Sequence, residues 1–371
     1  MSASPQDTAH STTTPAQPVA PPCKAPSTEA EAPFLQADVL EDYLFQLSPE
    51  VFDALLKDHT TSTKEEQHNI FWATSDYEHL GEGYEYSSPI LPALITGKRG
   101  HVIMPRILKS KAAQTARARN MAEVFTPSWV CNAQNNLIDE AWFGRADVFN
   151  REYVDEAGVH RWHTTPHPIT FPEGKTWRDY VCDTRMEITC GEAPYIVSRY
   201  DTTTGALIPI EQRIGLLDRK LRIVSENTTK SGEWLKWAQV AYRNTYAYEW
   251  QGDNLLIARE SMLVSYIEYY YHKFGKQPGE KSLKSIAYIV SWNVWQMDGL
   301  KGVVPDSCGE KPKPDAQGAM FFEPLSVPCE GCRTGDIRSH NGTYCLIRDW
   351  RKKRDLQKIR FIDLIKQHVC F

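Results

Sequence analysis

The sequence has no apolar run approaching the roughly 18 consecutive residues of a membrane-spanning helix, and its first residues contain no apolar signal core. It has no large excess of either charge, since 42 Lys and Arg stand against 47 Asp and Glu in 371 residues. The overall charge of −5 therefore does not indicate a nucleic-acid-binding protein, although a local basic patch could still contact one. We find no internal repeat. We expect a cytoplasmic protein with no membrane partner and with reduced rather than disulfide-bonded cysteines.

The first third of the chain divides into a polar tail and an extension. Residues 1–33 are mostly Ser, Thr, Ala, Pro and Gln, and so few apolar side chains cannot offset the entropy of ordering, which predicts disorder. Residues 34–120 are predicted to form an extension that is mostly helical. Apolar residues recur there at helical spacing as far as Lys57, and a break at Ser48 predicts two short helices. Residues 69–74 are predicted to form a strand.

Basic side chains are concentrated at the end of this extension, between Lys98 and Arg119. Two interpretations are open, a solvated helix face or a phosphate-binding surface, because clusters of Lys and Arg displace the counterions of DNA. The next segment, Phe125-Thr126-Pro127, predicts the start of a helix, with Thr126 capping it and Pro127 in the first helical position. Such a start is either an ordinary cap or a binding site for a carboxylate.

The segment from Glu187 to Tyr195 has the pattern around which the rest is organised. A short apolar run ends near Glu187, small residues around Gly191 predict a turn, and Pro194 suits the first turn of a following helix. Strand, tight turn and helix in this order are typical of a nucleotide-binding edge of an α/β sheet. Gly191 can adopt positive φ and allows a ligand close to the backbone. A purely structural turn accounts for the pattern equally well.

Two further segments end on an acid. Residues 245–250 are strand-like around Glu249, and a long helix follows as far as Phe274. Residues 292–298 are predicted to form a third strand that ends on the acid Asp298 and is followed by Gly299. Acids at the ends of parallel strands bind ribose hydroxyls or the adenine amino group in this architecture, but they are also common as plain turn residues.

In this order, the segments resemble the cofactor half of the gamma-class N6-adenine DNA methyltransferases, which include the modification subunits of restriction systems. Proteins often labelled restriction endonuclease subunit M are similar as well. The resemblance spans about residues 120–303. It implies a doubly wound, Rossmann-like α/β core over residues 121–303 that binds S-adenosyl-L-methionine, preceded by the α-rich extension.

The resemblance also implies roles for individual residues. Thr126 and Pro127 would hold the methionine end of the cofactor. Glu249 would hold the ribose and Asp298 the adenine. The cofactor turn of the family, roughly Glu-Pro-Ala-Cys-Gly, is matched at Glu187, Cys190, Gly191, Ala193 and Tyr195. Ile188 stands where the family usually has proline.

One part of the family's pattern is missing. Methyl transfer to adenine N6 in this family uses an (Asn/Asp/Ser)-Pro-Pro-(Tyr/Phe/Trp) segment that contacts the flipped base, and no such segment occurs in this sequence. Two functions follow as expectations. The first is a DNA adenine methyltransferase-like subunit that acts on DNA with a partner chain supplying the missing parts. The second is a catalytically inactive subunit that binds DNA or senses the cofactor.

The final segment, residues 304–371, is predicted to contain a cysteine-rich loop and terminal strands, one of them over residues 359–365. The pair Cys329-x-x-Cys332 has the spacing of half a zinc site, and Cys308, Cys345 and His340 are near in sequence. Because a second clean pair is missing, the sequence favours free cysteines over a metal site. The His-rich stretch around residues 160–167 matches no ligand signature.

Overall fold

The structure is a computed structural model that describes residues 37–39, 41–121, 123, 125–312 and 326–365. The tail predicted to be disordered, residues 1–33, lies outside these ranges. Within them, no helix combines the length and the apolar character needed to cross a membrane.

The described chain is a mixed α/β structure. Its α-helices are α1 (Glu41–Leu47), α2 (Pro49–Leu56), α3 (Pro92–Ile95), α4 (Lys111–Met121), α5 (Ser128–Phe143), α6 (Trp177–Cys182), α7 (Leu216–Asn227), α8 (Ser231–Arg243), α9 (Gly252–Phe274), α10 (Glu280–Asn293) and α11 (Glu330–Thr334). Its strands are β1 (Asn150–Val154), β2 (His160–Thr164), β3 (Arg185–Glu187), β4 (Thr245–Glu249), β5 (Val294–Gln296), β6 (Lys311–Pro312), β7 (Ser326–Val327), β8 (Leu346–Arg348) and β9 (Lys358–Arg360). The α/β class predicted from the sequence is confirmed.

A parallel three-stranded sheet in the order β3-β4-β5 lies beside the long helices. β3 pairs with β4 as far as Glu187↔Ala247, and β4 pairs with β5 as far as Glu249↔Gln296. The chain passes from β3 to β4 through α7 and α8, and from β4 to β5 through α9 and α10. Parallel neighbours require such crossovers, and they bring the carboxyl ends of all three strands to one edge.

The core is centred on α9, in which every residue from Gly252 to Tyr270 is buried. Its Arg259 donates hydrogen bonds to the carbonyls of Val294 (2.8 Å), Ser291 (3.3 Å) and Leu55. Burial lowers the pKa of this guanidinium to about 10. The carbonyls replace lost water, and through them one side chain connects β5, α10 and α2.

Residues 69–74 do not form the predicted strand and make only isolated bridges. Their backbone groups bond to other partners. The side-chain oxygen of Gln296 accepts from the Phe71 amide at 3.0 Å, and the carbonyl of Trp72 accepts from the Gly252 amide at 2.9 Å. Further backbone bonds join the segment to Leu56 and to residues 86–90, so its bonds are divided among several partners and no regular ladder forms. The two predicted helices before this segment are confirmed as α1 and α2.

The helix predicted to begin at Pro194 does not form, and the next α-helix is α7, which begins at Leu216. A single turn closes on the carbonyl of Ala193. The following amide, that of Ser198, donates instead to the carboxylate of Asp218 at 2.7 Å. Only one helical turn therefore forms, because a carboxylate distant in sequence takes the next amide.

Two boundaries at the predicted site residues also differ. α5 begins at Ser128, so Pro127 is the capping residue and not the first helical one. The capping bond comes from elsewhere in the chain, since Asp201 accepts from the Ser128 amide at 2.8 Å. β5 ends at Gln296, two residues before Asp298.

The C-terminal segment consists of short elements. β6 pairs with β7 and β8 pairs with β9, both antiparallel. Of the strand predicted at 359–365, only the beginning is strand, because Phe361–Leu364 is a 3₁₀ helix. Backbone bonds attach the segment to the loop after β5. The Cys345 amide donates to the Gly302 carbonyl at 3.0 Å.

Candidate functional site

A cleft of about 530 Å³ lies where β3 and β4 end. Its walls come from the turn after β3, from α5 and from the start of α9. This volume is within the range of small-molecule sites. In open parallel sheets, ligands bind outside the carboxyl ends of the strands, so the position of the cleft is that of a ligand site.

The turn after β3 has an unusual backbone. Thr189, Gly191 and Ala193 all have positive φ, at 46°, 52° and 60°, and positive φ is uncommon for residues other than glycine. Tyr248 and Glu249 of β4 hold the turn. The Cys190 amide donates to the Tyr248 carbonyl at 2.9 Å, and the Gly191 amide donates to Glu249 Oε2 at 2.8 Å. No atom lies within 4 Å of the position that a Cβ on Gly191 would occupy, so the backbone there is open to a ligand.

Two buried carboxyl groups lie side by side at the strand ends. Burial raises the pKa of Glu187 well above its usual value, opposed by amides of Tyr195 and Ile196, and Glu249 raises it further. Burial likewise raises the pKa of Glu249, although the amides of Gly191 and Gln251 oppose the shift. Glu187 Oε2 is buried and has no hydrogen-bond partner among the described residues. A ligand that donates a hydrogen bond or carries positive charge would satisfy it.

Two amide oxygens in the cleft walls, from Asn135 and Asn254, are likewise buried without a hydrogen-bond partner among the described residues. Asn135 Nδ2 donates to the carbonyls of Tyr195 and Ile214, both at 3.0 Å. Asn254 Nδ2 donates to Glu123 Oε1 at 2.8 Å. These bonds fix which end of each amide is the NH₂ group. The Oδ1 atoms of both asparagines are buried without a partner in the described part of the chain, which leaves further acceptors for a hydrogen-bond donor.

The residues that line the cleft are acidic. Four of them are glutamates, and none of the described lining residues is Lys, Arg or His. The described lining therefore offers no cationic partner for a phosphate, whereas a bound cation would favour the ionised form of its carboxyl groups. The site therefore favours a cationic ligand rich in hydrogen-bond donors.

Three cations of the basic segment lie behind the cleft wall, whereas Lys98, Arg99, His101, Lys111 and Arg119 are exposed. Arg117 is buried, with its Nε 2.8 Å from Glu123 Oε2 and its Nη1 3.0 Å from Asp253 Oδ2. Lys109 lies 3.0 Å from the same Asp253 oxygen. Arg106 lies over the ring of Phe125, 4.1 Å from its centroid. These three cations neutralise buried acids, and for the exposed residues of the segment a solvated face and a phosphate-binding surface both stay open.

Five of the residues predicted to bind the cofactor line the cleft: Thr126, Glu187, Cys190, Gly191 and Glu249. Pro127, which caps α5, and Ala193, a buried residue of the turn, are not among the lining residues. Asp298 lies apart. Its carboxylate accepts from the Leu300 amide at 3.0 Å and pairs with Lys301 Nζ at 3.0 Å.

Sequence reasoning did not identify Asn135. The sequence did contain one signal for a special role of this residue. Asparagine is unfavourable in the interior of a helix, and Asn135 lies in the interior of the predicted helix. Asn254 was not identified as a ligand residue either, because its unpaired oxygen depends on contacts with distant residues.

Comparisons of the chain with protein-family models, curated proteins and solved structures gave no match. The chemistry of the cleft is therefore the basis for assigning a function.

Proposed function

We propose that the cleft binds S-adenosyl-L-methionine and that the protein is a methyltransferase-like subunit of a DNA modification system. One observation carries the proposal. The cleft presents buried acceptor atoms, led by Glu187 Oε2, and no described lining residue is cationic. S-adenosyl-L-methionine carries a sulfonium and an ammonium group and donates through its ribose hydroxyls. Dinucleotides and nucleoside triphosphates carry phosphates, for which no described lining residue offers a cationic partner.

The fold supports this choice of ligand. Three parallel strands in consecutive order, with a tight turn after the first, are what one half of a Rossmann-like sheet contains. The long loop between the turn and α7 distinguishes this chain from that plan. The loop forms part of the cleft wall, because its residues Tyr195 and Thr202 are lining residues.

Roles for the lining residues follow from their free atoms. Glu187 would accept from the ammonium group, with Thr126 beside it in the wall. Glu249 would accept from a ribose hydroxyl while it keeps the Gly191 amide, since a carboxylate has about four acceptor positions. Asp298 is left outside the proposed site because its carboxylate is occupied by its own turn. When bound, the cofactor supplies a methyl group that its sulfonium has already activated.

DNA is the proposed substrate, with a partner chain contributing the segment that contacts the target adenine. An exposed basic run at residues 351–354 provides a surface for phosphate contact. The missing Pro-Pro segment favours the second candidate for the chain alone, namely a subunit that binds the cofactor without transferring the methyl group.

The first test is calorimetric titration of the purified chain with S-adenosyl-L-methionine, ATP and NAD. We expect binding of the first ligand only. Glu187→Gln should weaken it by about ten-fold or more, the loss expected for one charged hydrogen bond. Asp298→Asn is the matched control and should bind within about two-fold of the wild type. Tighter binding of ATP or NAD, or no binding of any of the three, would overturn the proposal.

The second test follows labelled methyl transfer to unmethylated DNA, with and without the genomic neighbours of the chain as candidate partners. Transfer that requires a partner supports the modification subunit. Binding without transfer under every condition supports the sensor.

A further inference from the structure

Four residues with metal-binding side chains meet near the C-terminus. Cys308 lies in the loop after β5, Cys329 and Cys332 lie at the start of α11, and His340 lies in the loop before β8. One potential ligand atom from each lies within 4.8 Å of all the others. Only Cys329 and Cys332 are close in sequence, so folding itself brings the four together.

The distances among them fit a tetrahedral metal site. The sulfurs of Cys308, Cys329 and Cys332 lie 3.5, 3.5 and 3.7 Å from His340 Nδ1. With Zn–S near 2.3 Å and Zn–N near 2.05 Å, a sulfur and a nitrogen on one tetrahedral zinc ion are about 3.6 Å apart. Hydrogen bonding does not explain the arrangement, because a single ring nitrogen has one lone pair or one proton and cannot serve three thiols.

The surrounding backbone is shaped to these side chains. The Asn341 amide donates to Cys329 Sγ at 3.3 Å, a bond that favours the thiolate form. A Cβ on Gly331 would lie 2.6 Å from His340 Nδ1, and a Cβ on Gly342 would lie 3.0 Å from Cys308 Sγ. Neither glycine has positive φ. Close approach to the cluster, and not backbone conformation, is therefore what requires glycine at both positions.

We propose that Cys308, Cys329, Cys332 and His340 bind one Zn²⁺ ion in a structural Cys₃His site. Four protein ligands complete a tetrahedral shell and leave no open position for catalysis. On binding, each thiol releases its proton to solvent, and the neutral imidazole binds through Nδ1. The resulting centre, with three thiolates and one dication, has a net charge of −1. This inference is independent of the proposed cofactor site.

The fourth cysteine of the segment is not part of the site. Cys345 is buried, and its sulfur lies 3.3 Å from the carbonyl of Gln296. The site instead secures the loop after β5 to the C-terminal segment, where Val303 bridges to Tyr344. The sequence favoured free cysteines because the histidine and Cys308 have no regular spacing from the Cys329-x-x-Cys332 pair.

The test is elemental analysis of the full chain purified under reducing conditions without added metal. We expect about one zinc per chain, at least ten-fold less in Cys332→Ser and His340→Gln, and no change in Cys182→Ser, an exposed cysteine outside the cluster. A chelator should lower the Tm of the wild type and leave the Tm of metal-depleted variants unchanged.

Cobalt substitution of the wild type keeps the test decisive if the variants do not fold. Tetrahedral Co²⁺ with three thiolates should show d–d absorption and strong sulfur-to-cobalt charge transfer. The proposal is overturned if folded wild type contains no zinc and takes up neither metal, if it contains iron instead, or if mass spectrometry of unreduced protein finds a disulfide within the cluster.

Discussion

The most informative single substitution is Glu187→Gln, because it should make the protein more stable and its ligand binding weaker. Burial holds the pKa of Glu187 well above its usual 4.5, so the folded protein keeps a proton that the unfolded chain has already released. Between these two pKa values, the folded state binds more protons, and its stability falls as pH rises. Glutamine mimics the protonated acid and removes this dependence.

The expected magnitude follows from the linkage. Each pH unit in that window removes up to about 1.4 kcal/mol from the unfolding free energy of the wild type relative to the variant. The two proteins should be of nearly equal stability at pH 4.5 or below, and the variant should gain steadily above it. Taking the difference between the two proteins cancels contributions from buried acids that do not interact with Glu187, such as Glu260.

Urea denaturation at four values between pH 4.5 and 8 measures this difference, and calorimetric titration of the same samples measures ligand binding. Parallel stability curves at all pH values would show that Glu187 titrates normally and would refute the electrostatic account of the cleft. A variant that is stabilised but binds S-adenosyl-L-methionine as tightly as the wild type would uphold the account of burial and refute the role of Glu187 as the cation partner.

Other predictions concern the scaffold, and urea denaturation tests each of them. Burial lowers the pKa of Lys220 to about 7, so the unfolded chain binds the extra proton above that pH. Wild-type stability should therefore rise between pH 7 and about 10, by up to about 1.4 kcal/mol per unit, and this rise should be absent in Lys220→Met. Gly252→Ala would place Cβ 2.0 Å from a backbone carbonyl and should cost about 3 kcal/mol. Gly232→Ala, in a helix with open space around it, should instead stabilise by about 0.5–1 kcal/mol. Asp253→Asn removes the buried partner of Arg117 and should cost about 3–5 kcal/mol. Equal effects at the two glycines, or a neutral Asp253→Asn, would contradict the packing described.

The sequence predicted those elements whose signals are local. Helical spacing of apolar residues located α1, α2 and α9, and the acid after an apolar run located the end of β4 at Glu249. The predictions that were wrong concerned segments whose backbone hydrogen bonds go to residues distant in sequence. Residues 69–74 have strand-like composition, but their backbone bonds are divided among Leu56, residues 86–90, Gln296 and the N-terminus of α9. The helix expected at Pro194 ends after one turn because Asp218 binds the next free amide.

The same distinction applies to the site. Turn chemistry and strand ends placed Glu187, Gly191 and Glu249 together, and these are properties of short segments. Whether an acceptor in the cleft is left unpaired depends on the whole fold. Asn135 was missed for that reason, and Asp298 was included although its carboxylate is occupied by the turn that follows β5.

Four glutamates line the cleft, but most of their carboxyl oxygens already have hydrogen-bond partners. The number of free carboxyl oxygens limits which ligands can bind. Both oxygens of Glu123 are bonded, with Arg117 as the main partner, and Glu192 accepts from the Arg106 amide at 2.7 Å and the Tyr200 hydroxyl at 2.6 Å. Glu249 is held by backbone amides. Of the four lining glutamates, only Glu187 retains a buried carboxyl oxygen without a partner among the described residues. A divalent ion such as Mg²⁺ or Ca²⁺ needs several oxygen ligands, whereas a single unsatisfied carboxyl beside neutral amide oxygens suits one monovalent, hydrogen-bonding cation. We therefore expect the cleft to prefer an ammonium-bearing organic ligand to a metal ion.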